Sequence, residues 1–165
     1  MTTFVLVHGA WGGSHGFRTV RGPHLVYLDA FKPADGQSLD DLATAGYGKG
    51  AVGPGGEWLV PTMARALRNA DEASWYTARR SPHPVGCFIE RARLARPLEE
   101  YPFTRTYIKA TEEPRPVDGG RPAPFWAAAD HAKTSQDWRY REIDTGHMIL
   151  ANRPAELVSL LLELT

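Results

Sequence analysis

The sequence predicts an α/β fold, a mostly parallel sheet with helices on both faces. Two observations carry that expectation. Phe4-Val5-Leu6-Val7 and Leu25-Val26-Tyr27-Leu28 are short continuous apolar runs, the pattern of strands buried on both sides. Further along the chain, strand-like runs alternate with helix-like ones, which is the order of an α/β protein rather than of separate sheet and helix layers.

The elements follow in order. The first strand ends in a loop rich in glycine (Gly9, Gly12, Gly13, Gly16), where the backbone needs unusual torsions or a close approach. The second strand, 25–28, ends at Asp29. Pro33 and Gly36 mark a turn, and Ser38 is placed to cap a short helix whose first turn carries Asp40 and Asp41. Residues 45–56, dominated by glycine, read as an irregular loop. Helices are expected over 61–68, 71–80 and 85–95, the last two separated by Ser81-Pro82-His83-Pro84. A third strand is expected at 105–110. The proline-rich stretch 114–124 excludes regular structure. A helix at 125–133, a strand at 138–143 and a helix at 155–164 complete the chain. Pro154 suits the first turn of that last helix, and Leu157, Leu160, Leu161 and Leu164 share one face.

One connection is short. Between the first two strands only residues around 17–21 look helix-capable, whereas a parallel crossover needs roughly a dozen residues including a helix. Either the two strands are not neighbours, or something that normally separates them is absent.

The 165 residues fit a single domain, 1–165, able to bury a real core. Lys plus Arg and Asp plus Glu are balanced at 19 each. A nucleic acid or an anionic membrane needs a basic excess on one face, so neither is expected as a partner. The only cysteine, Cys87, excludes an internal disulfide and a cysteine-based zinc site, and reads as a small buried hydrophobe. The histidines show no metal-ligand spacing with carboxylates, so no metal is expected. The N-terminal run lacks a charged leader, and the last apolar stretch is too short to span a bilayer. The expected location is the cytoplasm.

Two turns carry the chemistry. His8-Gly9-Ala10-Trp11 follows the first strand at once. Small residues there let a backbone N–H face a developing oxyanion, where one donor is worth about 3 kcal/mol. Near the other end, Asp144-Thr145-Gly146-His147 follows the last strand, where a histidine can serve as a general base.

Val5-Leu6-Val7-His8-Gly9-Ala10-Trp11-Gly12-Gly13-Ser14-His15-Gly16-Phe17 resembles the opening of small cofactor-free esterases of the α/β-hydrolase superfamily. These are the bacterial relatives of plant methyl-ester esterases and hydroxynitrile lyases. The similarity continues at His24 to Phe31, Asp35-Gly36-Gln37-Ser38-Leu39, Ser81-Pro82-His83-Pro84, Arg105-Thr106-Tyr107-Ile108 and Thr145-Gly146-His147. The resemblance implies an α/β-hydrolase-type sheet in shortened form, with 36–97 as a cap or lid-like region. It implies a carboxylic-ester hydrolase with serine–histidine–acid chemistry, no cofactor, and a small apolar or aromatic ester as substrate. Ala10 then supplies an oxyanion N–H, with Trp11 beside the substrate, and His147 is the base. Its acid is Glu113 or Glu112. Asp144 shares the turn of His147 and reads as a turn residue.

The sequence departs from this family where the nucleophile elbow belongs, because Val20-Arg21 runs straight into Gly22-Pro23-His24. A literal G-x-S-x-G occurs at Gly12-Gly13-Ser14-His15-Gly16. However, Ser14 lies well past the strand end where an elbow serine sits, so it reads as a polar loop or cap residue and the nucleophile stays unassigned. A sheet lacking its central strand exposes an edge, which favours a homodimer or a marginal fold. The alternative function is a catalytically inactive hydrolase-like binder of a small molecule, with Trp11, Phe31, Trp58, Trp75, Phe88 and Trp126 either lining a pocket or forming ordinary core. A dinucleotide-binding fold is also mimicked by the glycine loop and Asp29, but Trp11 stands where the cofactor's pyrophosphate needs a glycine.

Overall fold

A computed structural model describes residues 4–7 (as backbone), 24–43, 58–62, 67, 69–115 and 123–164. In chain order the elements are β1 (Phe4–Val7), β2 (His24–Leu28), α1 (Leu39–Leu42), β3 (Leu59–Val60), α2 (Ala70–Thr77), β4 (His83–Pro84), α3 (Gly86–Ile89), a 3-10 turn (Leu98–Glu100), β5 (Thr104–Ala110), α4 (Pro124–Thr134), β6 (Trp138–Ile143), α5 (Ile149–Asn152) and α6 (Pro154–Glu163). Four strands form one parallel sheet in the order β1-β2-β5-β6. The fold class is therefore α/β. The first two strands are direct neighbours, with Phe4 opposite His24. The residues that join them lie outside the described part.

Strand alternation sorts the core into two layers. Val26, Ile108, Ala110 and Ile143 face one side of the sheet and pack against Ile149 of α5 and Leu157 of α6, with Leu164 just beyond that helix. Leu160 and Leu161 pack against the same cluster, so the four leucines form the expected apolar face of α6. Tyr107 and Trp138 face the other side, with Tyr27 and Tyr140 beside them, and meet Trp126, Ala128, Ala129 and Ala132 of α4. The three alanines let that helix lie close to the sheet. Each large apolar side chain so buried contributes about 1.5–3 kcal/mol. Both helices begin with proline, where its missing N–H has no helical partner to lose.

The region 36–97 has a small core of its own, Val60, Val85 and Phe88 with Leu39 against them. Ser38 caps α1 as expected: its hydroxyl accepts from the Asp41 N–H while the Asp41 carboxylate accepts from the Ser38 N–H. The expected helix over 85–95 is corrected. Helix α3 stops at Ile89, because Ala92 instead exchanges backbone hydrogen bonds with Gly36 and Gln37, and the Leu94 N–H donates to Asp35. The expected helix over 61–68 is not seen at residues 61, 62 and 67, and its other residues lie outside the described part, as do 45–56. Cys87 is exposed rather than buried. Trp58 and Trp75 are exposed too, at 53% and 59%, so they are not core residues.

Candidate active site

The C-terminal ends of β2, β5 and β6 converge on one cluster. Asp29 is the first residue after β2 and is fully buried, with φ at +43°. This left-handed backbone is uncommon for a residue with a side chain and costs of order 1–3 kcal/mol, which the surrounding contacts must offset. Its own N–H donates to the Ile108 carbonyl at 2.8 Å, tying the turn to the neighbouring strand.

The two carboxylate oxygens of Asp29 have separate partners. Oδ2 lies 2.8 Å from His147 Nδ1. Oδ1 accepts from the Lys109 ammonium at 2.8 Å and from the Ala110 backbone N–H at 3.4 Å. Lys109 is itself fully buried and also donates to the Ala110 carbonyl, with its ammonium 4.4 Å from the centre of the Trp126 ring. A carboxylate oxygen accepts, so this contact is a hydrogen bond when Nδ1 carries the ring proton, the tautomer that leaves a lone pair on Nε2. The His147 side chain keeps 21% exposure, which leaves the ring partly open to an incoming group.

His147 is held by its turn and by an aromatic wall. The loops after β5 and β6 are stitched together, the Thr111 N–H donating to Ile143 and the Glu112 N–H to Thr145, both at 3.1 Å. Phe125, near the start of α4, stacks on the His147 ring with centroids 4.9 Å apart and planes 9° apart. Phe31 leans on Phe125 at 4.7 Å. Tyr107 anchors both backbones that carry this wall. Its hydroxyl lies 2.9 Å from the Ala30 carbonyl and 3.1 Å from that of Phe125. Burial, and after it the Asp29 charge, pushes that phenol well above the usual tyrosine range.

The expected site residues fall as follows. His147 is in the cluster. Glu113 joins it, since its carboxylate, that of Asp29 and the His147 ring offer atoms within 4.8 Å of one another. Its backbone carbonyl accepts from the Trp126 indole. Glu112 packs beside Gly146, its Oε2 3.5 Å from where a Cβ on that glycine would sit. The carboxylate bonded to Nδ1 is that of Asp29, which the sequence shows only as the end of a strand. Asp144 turns toward the Thr111 hydroxyl at 3.4 Å. Ala10, Trp11 and Ser14 lie outside the described residues. Three ligand-type side chains so close are a geometry that suits a metal ion, but the Lys109 ammonium already supplies a cation to Asp29.

No family model matches the sequence, and no curated protein matches it either. Among solved structures, the chain is similar to an extracellular α/β-hydrolase from a Paenibacillus species, described as sharing structural and functional homology with tobacco salicylic acid binding protein 2. The TM-score is 0.63 at 20% identity, over 86% of this chain and 61% of that one. The protein thus has the α/β-hydrolase fold. It spans about three fifths of the length of that hydrolase. Among the described residues, no helix is long and apolar enough to cross a membrane.

Proposed function

We propose that the protein is a carboxylic-ester hydrolase of the serine–histidine–acid type, with His147 as general base and Asp29 as its acid. The observation that carries this is the 2.8 Å contact of Asp29 Oδ2 with His147 Nδ1, made beyond the C-terminal ends of β2 and β6, on either side of β5 in an α/β-hydrolase sheet. A carboxylate there fixes the tautomer, leaves Nε2 to take a proton from an attacking hydroxyl, and stabilises the imidazolium that forms. The same Nε2–H then protonates the departing alkoxide. An N–H of the Ala10 loop, with Trp11 beside it, serves the oxyanion in this reading, and no cofactor takes part. Glu113 adds negative charge close by and is not the primary acid.

The attacking hydroxyl is unassigned. Among the described residues no serine hydrogen-bonds His147: Ser38 caps α1, Ser135 accepts from the Asp137 N–H, and Ser159 donates to the Ala155 carbonyl. Ser14 is the serine of the glycine-rich loop. The Phe31–Phe125–His147 wall favours a small apolar or aromatic ester, and 36–97, with its separate core, suits a cap over it. A fluorophosphonate probe together with a panel of short aryl and alkyl esters tests this. Labelling and turnover, both lost in His147→Ala, are expected.

The aromatic wall also supports a second reading, a hydrolase-like protein that binds a small aromatic molecule without turning it over. Saturable binding of an aryl ester that is neither cleaved nor accompanied by probe labelling would favour this reading over the first.

A further inference from the structure

Lys109 has no part in the chemistry above, yet it is the most unusual residue of the sheet. It sits in β5 between Ile108 and Ala110, on the same side of the sheet as Tyr107, with no exposed surface. That face of the sheet carries the apolar layer of Tyr107, Trp126 and the alanines of α4, and the Lys109 ammonium lies over the Trp126 ring. An apolar side chain of similar length would fill that place, and burying an ammonium costs several kcal/mol unless its protons are matched. Here they are matched, by Asp29 Oδ1, the Ala110 carbonyl and the face of the Trp126 ring. The ammonium is therefore fixed in direction, and what it is fixed upon is the carboxylate that meets His147.

We propose that Lys109 is the positioning residue of this site: it holds Oδ1 of Asp29, leaves Oδ2 aimed at His147, and so keeps the imidazole in the tautomer with its lone pair on Nε2. The proposal rests on the assignment of His147 and Asp29 as base and acid. Asp29 leaves β2 in a left-handed conformation and takes one backbone N–H, that of Ala110, at a long 3.4 Å. Without the ammonium, little would fix which oxygen faces the ring. A rotated Asp29 no longer demands a proton on Nδ1, and the ring then samples both tautomers.

Nitrogen-15 NMR of the histidine rings tests the idea whether or not the chain cleaves esters, so its failure is distinct from failure of the hydrolase reading. The unmodified chain is expected to show His147 protonated at Nδ1 and bare at Nε2, with a hydrogen-bonded Nδ1–H far downfield. In Lys109→Met, which keeps the length and removes the charge, that proton signal is expected to vanish and the tautomers to mix. Alkylating Lys109→Cys with bromoethylamine, in a Cys87→Ser background, rebuilds an ammonium and should restore the signal. A folded Lys109→Met with an unchanged His147 spectrum would overturn the proposal, as would a restored ammonium that leaves the tautomers mixed. If Lys109→Met does not fold, the unmodified chain decides. There the Lys109 ammonium protons should exchange with water at least about a hundredfold more slowly than those of exposed lysines. Fast exchange, or a His147 protonated at Nε2, would overturn it as well.

Discussion

Asp29 Oδ2 and His147 Nδ1 meet at 2.8 Å across 118 positions of sequence. Both groups stand at the C-terminal edge of a parallel sheet, where α/β folds place their ligands. The contact makes Asp29, rather than Glu113 or Glu112, the group whose loss should matter most. Asp29→Asn keeps the shape but offers an amide donor that pairs with a bare Nδ1, which forces the proton onto Nε2. A reversed tautomer of this kind costs about 10⁴ in kcat in serine hydrolases. We expect a loss of about 10³ to 10⁴ in ester turnover for Asp29→Asn and under about tenfold for Glu113→Gln and Glu112→Gln. Equal losses in Asp29→Asn and Glu113→Gln would reject the assignment.

The buried Asp29–Lys109 pair predicts a pattern in stability that is separate from catalysis. Removing one member leaves an uncompensated charge where neither side chain is exposed. Lys109→Met and Asp29→Asn should each cost about 3–5 kcal/mol in urea denaturation. The double variant should lose less than the sum, because no lone charge is left behind. Strict additivity would mean that the two groups do not interact.

Tyr107 predicts a link between the core and the aromatic wall. Its hydroxyl is the bridge between the Ala30 and Phe125 carbonyls. Tyr107→Phe should cost about 1–2 kcal/mol and loosen the Phe125 stack, seen as lower near-UV circular dichroism and a raised KM. A group whose affinity for its proton is raised in the folded state stabilises the fold below its ordinary value, here 10.0, and that contribution is lost as pH rises through the folded value. The Tyr107 phenolate should therefore appear at 295 nm only together with alkaline unfolding. A free titration near pH 10 by all tyrosines of the folded protein would contradict this.

The acid side has the opposite sign. The Asp41 carboxyl lies below its ordinary 3.8, held there first by the Ser38 backbone N–H and then by the Ser38 side chain, with Arg91 adding to it. For Glu99 burial is the largest single influence and acts upward. It is outweighed by the residue's own backbone N–H, the Trp138 indole, Lys32 and His131, so the carboxyl falls below 4.5. The folded state binds fewer protons at these groups than the unfolded chain does. Their contribution is present above the ordinary values and is lost as pH falls through the folded ones. We expect urea midpoints to fall below about pH 4.5, with a shallower fall in Asp41→Asn and Glu99→Gln.

Much of this fold is legible in the sequence, because its period is. The runs at 25–28, 105–110 and 138–143 are strands, and the leucine stripe of α6 faces the sheet, since apolar spacing alone fixes which way each residue points. Local capping is equally plain at Ser38, where all the partners lie within a turn. What local pattern does not show is pairing at long range. The non-helical path of 90–97 depends on Gly36 and Gln37 taking up the Ala92 backbone, and nothing in the composition of 85–95 announces it. The site divides in the same way. His147 is legible from its turn, whereas Asp29 looks like any strand-end aspartate until the sheet order brings β2 beside β5. A lysine inside an apolar strand, between Ile108 and Ala110, was the available signal that a buried acid must lie near.

Thr145 supplies the last prediction. It sits two residues before His147, fully buried, and its Oγ1 has no hydrogen-bond partner among the described residues, although its backbone carbonyl accepts from Glu112. A buried hydroxyl without a partner forfeits its hydration for nothing, at a cost of about 1–3 kcal/mol. Valine has the same branched shape and removes that cost. Thr145→Val should thus be neutral or stabilising by about 1 kcal/mol, against the usual trend for buried substitutions. Since the backbone bonds that shape the turn are untouched, the His147 tautomer signals should not move. Destabilisation by more than about 1 kcal/mol in urea would show that the hydroxyl does have a partner in solution, an ordered water bridging it to the site being the simplest candidate.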